Sequence, residues 1–275
     1  MLLRIAVAVG LAFIYVPLLV IAIYAFNSSK ILAWPPPGFT LEWFGKTFEN
    51  ESVREAFLTS VEAGAVATAI ALLLGTLASL AVVRHRFFGR ETISFLVVLP
   101  IALPGIVTGV ALSNTFTQVL GIPLSLFTVI VGHATFCIVV VYNNATARLR
   151  RLSSSFEEAS ADLGATTWQT FRDVTLPGMR SALVAGGLLA FALSFDEIIV
   201  TNFTIGAGEE TLPIWIFSHL FRPNDLPVVN VVAVIVVLIS ILPVYLAHRL
   251  SSDEGGVAAG KGAAAPVEAE ATAVP

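Results

Sequence analysis

Apolar residues along this chain come in long blocks rather than in alternation. Six blocks stand out: Ile5 to Phe26, Val61 to Val83, Thr92 to Leu112, Ser125 to Tyr142, Ser181 to Asn202 and Val228 to Leu246. A helix that crosses a bilayer takes about 20 mainly apolar residues, and each block meets or nearly meets that length. The pattern predicts an all-α membrane protein with six transmembrane helices. The first block has an apolar core too long for a signal peptide. Arg4 alone precedes it and no small-x-small cleavage site follows before Asn27, so it reads as a retained anchor.

The polar positions between the blocks set the orientation. With six spans both termini lie on one side. Eleven of the fifteen Lys and Arg residues fall on that side, among them Arg84, Arg86, Arg90, Arg148, Arg150, Arg151, Arg172 and Arg180. Positively charged loops stay in the cytoplasm, so both termini are expected there. The transmembrane unit covers residues 1–250. The tail, 251–275, is mostly Ala, Gly, Glu and Pro without an apolar period, and reads as a disordered cytoplasmic extension.

The connections differ in character. The first outer loop, Asn27 to Ser60, contains Trp34-Pro35-Pro36-Pro37-Gly38, which cannot be helical. Phe44 and Phe48 follow four apart and predict a short amphipathic helix on the membrane surface. The third outer loop, Thr204 to Leu226, is rich in Gly and Pro. In span three, Pro100 and Pro104 remove two helical donors and predict a break. A broken helix persists in a membrane only where protein or a water-filled path satisfies the freed carbonyls, which makes this a candidate gate or path-lining position; a packing kink is the other reading.

Composition agrees with the pattern. Hydrophobic residues make up 56% and charged residues 12%, against about 25% charged in a soluble domain. A net charge of −4 argues against a nucleic-acid partner. The one cysteine, Cys137, excludes a disulfide framework. His85, His133, His219 and His248 are scattered, and His133 reads as hydrogen-bonded inside the bundle. The chain has no P-loop and no hydrolase or zinc-protease motif. No catalytic, cofactor or metal site is expected in the chain, and energy for any transport must come from a partner.

The most informative segment lies between spans four and five. Phe156, Ala159, Ser160 and Leu163 share one face at helical spacing. Gly164 can end that helix in a left-handed turn, and Thr166 or Thr167 can cap a second short helix running through Asp173. Pro177 is expected to stop it and to mark the turn toward span five. The prediction is a helix-turn-helix lying flat beneath the membrane.

This segment closely resembles the EAA loop of type I ABC-transporter permeases. Glu158-Ala159-Ser160, Gly164 six positions after the glutamate, and Val174-Thr175-Leu176-Pro177 after nine more residues follow the family spacing, with Ser160 for Ala and Val174 for Ile as departures. The resemblance implies that Glu158, Ala159, Gly164, Leu176 and Pro177 belong to a coupling helix seated on a cytoplasmic ABC ATPase. It also implies an ATPase dimer, a second and homologous permease, and an extracytoplasmic binding protein as partners, in a bacterial inner membrane. Phe191-Ala192-Leu193-Ser194-Phe195-Asp196-Glu197 and Thr211-Leu212-Pro213-Ile214-Trp215 resemble the spermidine/putrescine branch. Asp196 and Glu197, with Pro100 and Pro104, are therefore candidates for the path of a small cationic solute. On a helix adjacent residues point about 100° apart, so at most one acid faces the path squarely; the competing reading has one acid capping a helix or pairing with an arginine. An importer of iron or a phosphonate, an ion-coupled secondary transporter and a membrane-embedded hydrolase are the other readings.

Overall fold

The computed structural model describes residues 2–241 and residue 245, and among these every regular element is a helix. The elements are α1 (Leu2–Ala25), α2 (Glu42–Glu49), α3 (Glu51–Arg84), α4 (Arg90–Ala102), α5 (Gly105–Asn114), α6 (Leu126–Arg151), α7 (Ser155–Asp162), α8 (Thr167–Thr170), α9 (Leu176–Phe195), α10 (Ile199–Thr204), α11 (Leu212–His219) and α12 (Leu226–Ile241). π-helical turns extend α5 through Val119 and join α8 to α9 across Phe171–Thr175.

The centre is a three-helix core of α3, α6 and α9. Their facing positions are small: Ala63, Ala67, Ala71 and Gly75 on α3, Gly186, Gly187 and Ala190 on α9. A Cβ on Gly75 would lie 3.0 Å from the Ile138 carbonyl oxygen of α6, so the backbones approach as closely as side chains permit. Small residues serve this purpose in lipid, where dispersion at close range replaces the hydrophobic effect as the attraction between helices. Local signals set the ends. The Asn50 side chain accepts from the Val53 amide at the start of α3, Ser125 and Thr128 form a capping box at the start of α6, and Arg148, Arg150 and Arg151 crowd the negative end of its dipole. A second cluster joins Val53 and Ala56 to Leu212, Trp215, Val229 and Val232, which seats α11 and α12 on the other end of α3.

α1 stands apart. None of its most apolar window is buried among the described residues; its last turn alone packs, through Ala25 against Trp43 and Val231.

Among the described residues four helical segments are long and apolar enough to span a membrane, and α4 with α5 makes a fifth if that bent pair is one crossing. The bend is 105° and falls at Leu103–Pro104, at the second of the two prolines singled out in the sequence. Three expectations need correction. The block Ser181 to Asn202 is not one helix: α9 ends at Phe195 and α10 begins at Ile199. The outer segment 204–226 contains α11, which starts with Pro213 in its first turn, where a missing amide costs nothing. Pro177 does not end a helix either. The π turn at Phe171–Thr175 sits just before it, shifting the carbonyl register that the proline ring would otherwise meet, and the helix runs on into α9. The predicted disordered tail lies outside the described residues.

Candidate functional site

The segment between α6 and α9 is a turned helix pair. α7 closes with the Ala165 amide donating to the Ser160 carbonyl (3.1 Å) and the Gly164 amide to that of Ala161 (2.9 Å). This is the Schellman pattern, and it requires a left-handed residue, which Gly164 supplies at φ +85°. Thr166 then caps α8: its hydroxyl accepts from the Gln169 amide while the Gln169 side chain accepts from the Thr166 amide. Between the two helices, the Ser160 and Thr170 hydroxyls are 3.1 Å apart and hydrogen-bonded.

A charged tie fixes the pair to the core. The Arg84 guanidinium at the end of α3 meets both carboxylate oxygens of Glu157, at 3.0 and 3.2 Å, and also donates to the Leu152 carbonyl. The Thr175 hydroxyl donates to the same carboxylate at 2.9 Å. The tie is about one-fifth exposed, so it is more than a surface pair. Glu157 was not among the residues singled out by the family pattern. Its neighbour Glu158 is exposed and makes no side-chain bond among the described residues. Ala159 and Gly164 are exposed as well, and Leu176 and Pro177 begin α9. Three large apolar side chains, Phe156, Leu163 and Trp168, stand 66–89% exposed on this polar-ended surface. Beneath Trp168 lies a hollow of about 550 Å³ lined by Leu77, Leu80, Arg84, Glu157 and Phe171.

The second candidate region is the break in span five. Asp196 is the C-cap of α9 and is exposed; it lines a hollow of about 790 Å³ otherwise walled by Phe57, Val61, Phe191, Phe195 and residues of α12. Glu197 faces another way. Its Oε1 accepts from the Ile199 and Val200 amides, at 2.7 and 2.8 Å, and caps α10. The two acids thus separate into one open carboxylate and one helix cap. Pro100 and Pro104 do not line the Asp196 hollow. They sit at the other break, and the two breaks touch: a Cβ on Gly109 would be 2.7 Å from Phe203, and one on Gly105 3.4 Å from Ile199. α10 therefore lies directly against α5. Nothing in the spacing of the sequence pointed to that contact, although glycines four apart after a proline are compatible with it. His133 is buried and hydrogen-bonded at both ring nitrogens inside the bundle.

With this geometry in view, residues 67–253 match the family described as binding-protein-dependent transport system inner membrane component. This chain belongs to that family. It is 36% identical over 234 residues to the putrescine transport system permease protein PotI of Escherichia coli K12, covering 82% of each chain. It is 32% identical over 241 residues to the spermidine/putrescine transport system permease protein PotC of Haemophilus influenzae, covering 87% of this chain and 92% of that one. The putative 2-aminoethylphosphonate transport system permease protein PhnV of Salmonella paratyphi A is 30% identical over 235 residues, 84% and 86% of the two chains. Among solved structures, a bacterial ABC transporter that imports alginate shares the fold at a TM-score of 0.68 and 17% identity, over 92% of this chain and 94% of the other. The chain is thus a membrane component of a binding-protein-dependent transport system rather than an enzyme in its own right.

Proposed function

We propose that this permease forms half of the translocation path of an ATP-driven importer for a polyamine. In this reading α12 belongs to a sixth span, so both termini lie on one side, the Lys and Arg bias makes that side the cytoplasm, and the helix pair α7–α8 is the handle on which a cytoplasmic ATPase acts. The observation that carries this reading is the build of the handle. It is rigid at its turn, tied to the core through Arg84 and Glu157, continuous with α9 through the π turn, and it presents Phe156, Leu163 and Trp168 to solvent. Exposed aromatic and aliphatic side chains clustered on a polar-ended surface fit a protein partner. A push on such a pair moves α9 and α3 together, and ATP-driven closure of the partner shifts the balance between inward-open and outward-open states through a difference in contact free energy. Glu158, which makes no side-chain bond among the described residues, is available to meet the ATPase. The bare α1 and the open hollow beside Asp196 fit a chain whose surface is completed by a second permease and by lipid.

The substrate assignment rests on Asp196 together with the relatives named for putrescine and spermidine. An exposed carboxylate in an aromatic and aliphatic hollow attracts an amine-bearing cation, whose charge and methylene stem match acid and wall respectively. An aminoalkylphosphonate offers the same ammonium but adds an anionic phosphonate that the carboxylate repels and the apolar wall does not match, which sets the PhnV-like reading second. Co-expression with the neighbouring ATPase, second permease and binding protein in a strain lacking polyamine uptake tests the proposal. ATP-dependent accumulation of labelled putrescine or spermidine, with co-purification of the ATPase, is the expected result. An assembled complex that accumulates neither would remove the polyamine and leave the family.

A further inference from the structure

Between α9 and α10 the backbone of span five is interrupted at Asp196, Glu197 and Ile198. An interruption inside the bilayer strands carbonyls and amides that water cannot reach. α10 is six residues long, far below the length at which a helix holds itself. Something else must keep it in place.

That element is α6. His133, 1% exposed, brings Nδ1 to 2.7 Å from the Ser194 hydroxyl in the last turn of α9, and Nε2 to 2.8 Å from the Thr201 hydroxyl of α10. The proton assignment follows from counting hydrogens. The Thr201 hydroxyl has one hydrogen, which it donates to the Glu197 carbonyl at 2.7 Å. It must therefore accept from His133 Nε2–H. In a neutral imidazole Nδ1 is then the acceptor, and Ser194 donates to it. Ser194 O–H, the imidazole, Thr201 O–H and the Glu197 carbonyl form one directed chain with every member satisfied. One helical turn and a half earlier on α6, the Thr128 hydroxyl lies 2.6 Å from the Thr204 carbonyl at the far end of α10 and 2.7 Å from the Ser125 carbonyl, and its one hydrogen is shared between the two.

We propose that His133 is a positioning residue for transport: it splints the broken span, and by joining Ser194 to Thr201 it fixes where Asp196 and the Glu197 cap stand. This rests on the reading above that Asp196 lies in the substrate path. Asp196 is two residues from one anchor and five from the other, so its freedom is limited by both bonds. Isolated substitutions should separate the arms. Gln at position 133 places an amide N–H near the place of Nε2 and restores the tie to α10; Asn places its amide near Nδ1 and restores the tie to α9; Leu restores neither.

The test uses the full transporter with its ATPase and binding protein, normalised to permease assembled in the membrane. Two readouts are taken: labelled putrescine and spermidine uptake, and the thiol-labelling rate of Ile198→Cys in a Cys137→Ser background. The expected result for His133→Leu is faster labelling at position 198 and at least tenfold slower uptake, with ATPase stimulation by the loaded binding protein retained. His133→Gln should recover more than half of the lost uptake, and Ser194→Ala or Thr201→Val, each removing one arm, should fall between. Unchanged labelling in His133→Leu, or in Ser194→Ala and Thr201→Val should His133→Leu not accumulate, overturns the splint. Faster labelling with unchanged uptake overturns its role in transport. Asp196→Asn, measured alongside, separates the two ideas: normal uptake by that variant rejects the path assignment while the labelling result still judges the splint.

Discussion

Replacing Gly164 probes the handle at the one position where the backbone alone is decisive. At φ +85° a residue with a side chain pays about 1–2 kcal/mol for the left-handed conformation. No second term adds to this, because a Cβ built on Gly164 meets nothing within 4 Å. Each 1.4 kcal/mol is a factor of ten, so the turned state of the pair loses about 5- to 30-fold in population. Val, β-branched, belongs at the upper end, Ala lower, and Asn lower still because its short polar side chain tolerates this region. The expected order of uptake is therefore Gly, Asn, Ala, Val. The core packing of α3, α6 and α9 does not involve Gly164, so membrane abundance should hold. The assay is ATP-driven polyamine uptake in proteoliposomes containing the ATPase and binding protein, with ATP hydrolysis measured in parallel. Gly164→Val should hydrolyse ATP with little uptake. Wild-type uptake by Gly164→Val, or an Asn variant as poor as Val, would refute the backbone explanation.

Other expectations follow from named contacts. Arg84→Gln removes the charged tie to Glu157 and should loosen the α7–α8 pair by about 1–2 kcal/mol, read as faster amide exchange across residues 155–175 with the bundle unchanged; equal exchange rates would count against the tie. Glu197→Gln keeps an acceptor for the two α10 amides and should be mild, whereas Glu197→Ala removes the cap at about 1 kcal/mol, and near-identical uptake by the two would contradict a capping role. Asp196→Asn keeps shape and loses charge, and should impair uptake of both polyamines while ATPase stimulation persists; normal uptake would take this carboxylate out of the path. For orientation, Ser154→Cys should resist an impermeant thiol reagent applied outside cells and Glu55→Cys should react, and the reverse pattern would invert the topology.

The helices were legible because lipid demands long apolar blocks, and the ends of α1, the inner end of α3 and the start of α6 follow composition closely; α3 begins at Glu51, ten residues inside the expected outer loop, and α6 runs to Arg151, nine past its block, because polar turns outside the lipid continue the helix without an apolar signal. The helix pair was legible because its turn needs glycine and its second helix needs a cap, and both residue types are local signals. The interruption at Asp196 was less so. Residues 181–202 read as one apolar run, and no proline marks the stop; Ser194 and Thr201 make the break stable through side-chain bonds to His133 of α6, more than 60 positions away, and Glu197 caps α10 locally. Helical spacing likewise favoured neither Glu157 nor Glu158 for the tie to the core. That choice depends on where Arg84 ends up, 73 positions earlier in the chain. α11 was missed because a Gly- and Pro-rich segment reads as loop, although Pro213 in a first turn is itself a start signal.

If α7 and α8 are the surface on which an ATPase acts, a residue at the tip of the pair lies within crosslinking reach of it. Cysteine-specific crosslinking in membranes tests this most directly, with Leu163→Cys in a Cys137→Ser background and the partner ATPase present. Leu163 is 89% exposed at the tip of the pair. Leu163→Cys should crosslink to the ATPase, and the yield should change when ATP is trapped on it, while Glu55→Cys at the opposite end of α3 should give none. An ATPase that crosslinks from position 55 and never from position 163 would show that α7 and α8 are not its seat.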